Sequence, residues 1–150
     1  MKSFLIDNKL WLFPILFLVL AAKFVPAVII GPLYLILMFF FILRGKVLEF
    51  IIGYILLLFF SDSFQSMFQF AITFKPIATL MLPIFVLKLK GEKHFKHDYF
   101  TWFVPYFLIA FITILLAYNM GNAFQKTLSY FLTFLCLPIL TNIAIGRNVT

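Results

Sequence analysis

The chain has 150 residues, 65% of them apolar, 21% aromatic and only 11% charged, with a mean hydropathy of +1.13. A soluble domain carries about a quarter charged residues, and 23 phenylalanines are more than one core of this size hides from water, so a water-soluble fold is excluded and hydrocarbon is the expected solvent. The net charge of +7 is spread over short gaps between apolar stretches, an arrangement that orients a membrane chain rather than building a groove for nucleic acid.

Six apolar runs follow one another: residues 10–22, 24–43, 47–60, roughly 71–89, 99–118 and 128–145. A membrane span needs about 20 residues at 1.5 Å rise, so the first and third runs are short and must borrow flanking residues or thin the bilayer. The expected fold is all-α, a polytopic transmembrane helix bundle of about six spans forming one domain over residues 1–150, with both termini cytoplasmic. Charge supports that threading. It puts Lys2, Lys9, Arg44, Lys46, Lys88, Lys90, Lys93, Lys96 and Arg147 inside and only Lys23, Lys75 and Lys126 outside, as the positive-inside rule asks. One continuous helix over residues 10–43 would be about 51 Å long against a hydrocarbon core of about 30 Å, and it would bury Lys23. The first run also has the form of a secretory signal, but the chain stays apolar after Val19, Leu20 and Ala21, which favours an uncleaved anchor.

Between the third and fourth runs, Phe64, Met67, Phe68, Ala71 and Phe74 recur at helical spacing while the polar residues fall elsewhere around the axis. With Asp62 and Gln65 as a capping-box-like start, this predicts a short interfacial helix over about 62–74, lying in the outer headgroup layer. The rival is a continuous helix from Phe64 to Leu89, which would carry Lys75 below the interface. Seven prolines, among them Pro32, Pro76, Pro83, Pro105 and Pro138, are expected to break or bend nearly every helix, giving a scaffold around a groove. Asn119, Asn122 and Asn142 are read as interhelical hydrogen-bonding groups.

No motif of a soluble enzyme is present. The five acids are scattered; Glu49 lies one turn inside the third span and only Asp62 reaches the outer face. His94 and His97, three apart, could share one side of a helical turn, but without a third ligand they are read as residues of a solvated loop. No metal or cofactor is expected. Cys136, the one cysteine, permits no intrachain disulfide and is read as a packing residue. Asn148, Val149 and Thr150 match a glycosylation sequon on the side where that modification does not occur. Arg44 and Lys46 are read as topological anchors beside anionic membrane lipids. Lys75 is the substrate-site candidate: at the outer end of the fourth span, thirteen positions after Asp62, an ammonium wants an anion. It is either a snorkelling anchor or a ligand for the phosphate of a lipid-linked substrate.

Two stretches, residues 59–85 (FFSDSFQSMFQFAITFKPIATLMLPIF) and 104–140 (VPYFLIAFITILLAYNMGNAFQKTLSYFLTFLCLPIL), resemble the amino-terminal half of the O-antigen ligase and O-antigen polymerase family in its Bacteroidetes-like form. The resemblance rests on the Ser61-Asp62-Ser63 run, on Lys75-Pro76 and on the residues from Phe124 to Leu132, and covers about half of the chain. It implies a glycosyltransferase of the bacterial inner membrane, metal-independent, that takes glycan from an undecaprenyl-diphosphate carrier at the periplasmic face for lipopolysaccharide or surface-polysaccharide assembly. The family's later Gly-Asn-Pro-Asn-like motif and its large catalytic loop have no counterpart here, so no catalytic residue is carried over. The expectation is an amino-terminal membrane portion of a longer enzyme, completed by a carboxyl-terminal half or a partner membrane protein. Two alternatives stand beside it, a non-catalytic accessory membrane subunit and a transporter half.

Overall fold

The computed structural model describes residues 13–22, 24–64, 68–92 and 99–149, and among them every regular element is an α-helix. The helices are α1 (residues 13–21), α2 (Ala27–Arg44), α3 (Val47–Ser63), α4 (Gln69–Lys88), α5 (Tyr99–Leu115) and α6 (Met120–Val149). Each falls on one apolar run of the sequence, because in hydrocarbon a backbone N–H or C=O finds its partner only within its own helix.

The boundaries have local causes. Pro26 precedes α2 with φ −54° and ψ 142°, the extended conformation of a residue that cannot donate to a preceding turn. At the other end Gly45 takes the left-handed conformation, φ 65° and ψ 26°. Its N–H donates to the Ile42 carbonyl and that of Lys46 to the Phe41 carbonyl, which closes α2 as a Schellman turn. α3 then starts at Val47, so α2 and α3 form a tight antiparallel hairpin. Asn119 caps α6: its Oδ1 accepts the Asn122 N–H at 3.1 Å. It is thus a helix cap, not the interhelical group expected of it.

Two compact units divide the chain inside α4, Met1–Ala78 and Thr79–Thr150, where the sequence alone leads to one domain. Short connections pack sequence-adjacent helices first, and each hairpin builds a core of its own. In the first unit Tyr34, Met38 and Phe41 of α2 are buried with Phe50, Tyr54 and Leu57 of α3 and Phe70 of α4; both helices use three- and four-residue spacing. Gly31 lies against the ring of Phe74. In the second unit α5 packs on α6 through Phe103 and Phe134, stacked at 5.2 Å between centroids, and through Phe107 and Phe131, edge-on at 4.7 Å.

α2, α4 and residues Met120–Arg147 of α6 are long and apolar enough to cross a membrane. Large apolar side chains cover the outside, with Phe24, Val28, Leu87 and Leu116 all more than two-thirds exposed. The chain is a helical membrane protein. Of the six crossings expected, three helices have the length by themselves; α3 and α5 have 17 residues each, about 26 Å, a little short of the hydrocarbon core. α6, with 30 residues, runs about 45 Å and so outreaches it.

Two sequence expectations are corrected. Residues 62–74 do not make a separate interfacial helix: α3 runs on through Asp62 to Ser63, and α4 begins at Gln69. Of the apolar positions at that spacing, Ala71 is buried and Phe68 and Phe74 are half-buried, with Phe70 beside them buried as well, so the face turns towards protein, and Gln65 and Met67 lie outside the described residues. Of the two outcomes expected of the prolines, to break or to bend a helix, the break does not occur among the described residues: α2 runs through Pro32, α4 through Pro76 and Pro83, α5 through Pro105 and α6 through Pro138. Each removes a single N–H donor, which a helix held by packing in an apolar medium tolerates.

Candidate functional site

Lys75 stands in the second turn of α4, and its Nζ lies 2.8 Å from Asp62 Oδ1 in the last turn of α3. The pair spans the gap between the end of one helix and the start of the next. Each member sits at the end of its helix that disfavours its own charge: an anion beside the free carbonyls of α3, a cation near the free N–H groups of α4. Pairing removes both penalties. Ser61, itself buried, adds its Oγ, 2.8 Å from Asp62 Oδ1 and 2.9 Å from the Leu58 carbonyl. Partial burial pushes the Asp62 carboxyl up, but the hydrogen bonds from Lys75 and Ser61 and the ammonium charge outweigh it, and the net displacement is below the ordinary carboxylate value.

A wall of phenylalanines joins the same two helix ends. Phe60 and Phe68 have centroids 4.4 Å apart, Phe59 and Phe64 5.5 Å, and Phe68 and Phe70 6.2 Å. At these helix ends the two members of the ion pair differ in exposure, 26% for the Lys75 side chain against 64% for Asp62. The lysine is the more enclosed member of the pair and the carboxylate the more exposed.

The other charged candidates serve the hairpins. Arg44 lies over the Phe40 ring, 5.4 Å from its centroid, a cation–π contact at the α2 terminus. Lys46 Nζ is 3.7 Å from Glu49 Oε1, an oxygen that accepts no hydrogen bond, and the Glu49 side chain is almost wholly buried. Arg147 Nη2 meets Glu92 Oε1 at 2.7 Å, tying the chain that follows α4 to the last turns of α6. Sequence reading missed this contact because the partners are 55 positions apart and neither carries a motif. Cys136 is buried in α6, as a packing residue. Lys23, His94 and His97 lie outside the described residues, as do the side chains of the sequon at Asn148. Among the described residues no three His, Cys, Asp or Glu side chains gather as a metal site.

On α6, Thr133, Phe134, Leu137, Pro138, Thr141, Asn142 and Ile145 line an open cleft. Thr133 and Thr141 each donate to the carbonyl four residues back, at 2.8 Å, which hides both hydroxyls within the helix.

Comparisons with family models, with curated proteins and with solved structures find no match for this chain.

Proposed function

We propose that the chain supplies membrane helices to a glycosyltransferase of the O-antigen ligase and polymerase kind in the bacterial inner membrane, and that Lys75 contacts the phosphate of the lipid-linked glycan donor. The observation that carries this reading is the position of Lys75: a largely enclosed ammonium in the second turn of α4, 2.8 Å from an oxyanion. The sequence resemblance across residues 59–85 and 104–140 supplies the reaction class. On this reading the chain positions the donor, and the bond-making groups lie elsewhere in the enzyme.

The test is a chromosomal Lys75→Ala substitution in the source bacterium, with surface glycan resolved by size on a gel. Loss or shortening of the long-chain glycan, with the protein still present in the membrane, is the expected result. An unchanged glycan profile at equal protein level overturns the proposal.

A non-catalytic accessory subunit is the second reading, favoured by the α6 cleft. Phe134, Leu137, Pro138 and Ile145 make its lining largely apolar, a surface against which a neighbouring membrane helix packs. It predicts that Leu137→Arg releases a defined membrane partner that co-isolates with the wild type.

A further inference from the structure

Asp62 and Lys75 are not equal partners. The Lys75 side chain is 26% exposed, whereas that of Asp62 is 64% exposed. Asp62 lies in the last turn of α3, where the helix dipole disfavours an anion most strongly, whereas Lys75 is already in the second turn of α4, where the effect on a cation has fallen off. Ser61 Oγ lies within hydrogen-bond distance of both the Leu58 carbonyl and Asp62 Oδ1, and its single proton serves one of them at a time. If the carboxylate swings out, Ser61 keeps the Leu58 carbonyl and Asp62 gains water. Withdrawal therefore strands no buried polar group.

We infer that Asp62 is a displaceable counter-ion, which masks Lys75 until the phosphate of a membrane amphiphile takes its place between the two helix ends. This deepens the reading of Lys75 given above and rests on it. A phosphate monoester brings more charge and more acceptor oxygens to the ammonium than a carboxylate does. It also arrives near the N–H groups of α4, which favour an anion. The phenylalanine cluster that joins the same two helix ends provides an apolar surface for the lipid portion, which free phosphate does not use. A solvent-exposed pair is a weak lock, so removing the carboxylate charge should tighten phosphate binding by about three-fold.

The test uses the full chain in detergent micelles and native mass spectrometry, with dioleoyl phosphatidic acid, dioleoyl phosphatidylcholine and inorganic phosphate as probes. Wild type should bind phosphatidic acid in preference to phosphatidylcholine. Asp62→Asn should bind phosphatidic acid about three-fold tighter, Asp62→Glu should match wild type, and Lys75→Gln should lose the preference whether or not Asp62 is replaced. A pair that only braces the helices predicts weaker or equal binding in Asp62→Asn, and that result overturns the inference, as does a preference that survives Lys75→Gln. Failure of inorganic phosphate to compete at equal concentration identifies the lipid as the ligand; competition at equal affinity overturns the part assigned to the aromatic wall. The assay involves no glycan, so Lys75→Ala can leave surface glycan unchanged, removing the proposed function, while phosphatidic acid still reports on the counter-ion.

Discussion

Tyr34 Oη donates a 2.6 Å hydrogen bond to the backbone carbonyl of Gly53, so the α2–α3 hairpin is fastened by a side chain from one helix and the bare backbone of the other. The tyrosine is 1% exposed. A Cβ at Gly53 would stand 2.6 Å from Met38 Sδ but at an ordinary contact distance, 3.5 Å, from Tyr34 Oη, so the glycine makes room for Met38 rather than for the tyrosine. Tyr34→Phe should cost about 1 kcal/mol, the usual worth of such a bond. Tyr34→Ala should cost about 3 kcal/mol or more, because it also opens a cavity. Thermal unfolding of the two variants in detergent checks this, and equal losses would mean that ring packing contributes nothing.

The two hairpin glycines should respond differently to alanine. At Gly53 the obstruction is the far end of the flexible Met38 side chain, which can swing aside. At Gly31 the new methyl group runs into the ring of Phe74, a flat group with fewer ways to yield. Gly31→Ala should destabilise by about 1–3 kcal/mol and Gly53→Ala by less. Combining Gly31→Ala with Phe74→Leu should recover part of the loss in the same unfolding assay, and failure to recover any would remove Phe74 as the cause.

The Asp62–Lys75 pair gives a pH dependence with a definite sign. The folded-state value of the Asp62 carboxyl is depressed, so the pair contributes stability that is complete above the unfolded-state value of about 3.9 and is lost as pH falls through the lower folded-state value. Stability should therefore be insensitive to this pair between about pH 5 and 8 and decline in more acid solution, by less than about 1 kcal/mol for an exposed ion pair. Asp62→Asn should remove that component of the acid limb, seen by comparing unfolding curves of the two proteins across pH. An acid limb unchanged in the variant would assign it to other carboxylates.

Because Arg147 and Glu92 touch, they face one compartment, which the positive-inside pattern makes the cytoplasm. In a Cys136→Ser background, single cysteines at 92 and at 147 should be labelled by a membrane-impermeant maleimide only after inside-out vesicles are made. Labelling of the two from opposite sides would break both the contact and the threading.

Much of the architecture is legible in the sequence because lipid leaves a chain few choices. Six apolar runs become six helices, and the punctuation at Pro26 and Gly45 is local chemistry that any reader of the chain can locate. The same local reading goes wrong at residues 62–74. There the helical spacing is real, but it marks the stripe that α4 buries, and periodicity alone cannot tell a face buried in protein from one laid on headgroups. The prolines mislead for a related reason: the cost of one missing donor is local, while the packing that absorbs it comes from neighbouring helices.

Composition alone determines that this polypeptide is helical and lives in a membrane, since a chain so poor in charge must satisfy its own backbone, and a helix does that one segment at a time. Residue chemistry also marks Lys75 as a cation in need of an anion. Only the folded chain decides which groups answer such needs: Asp62 for Lys75, Glu92 for Arg147 and the Gly53 carbonyl for Tyr34. Those choices depend on how close two helices come, and that distance is set by the shapes of side chains far apart in sequence, here Gly53 making room for Met38 and Phe60 meeting Phe68 across the ends of α3 and α4.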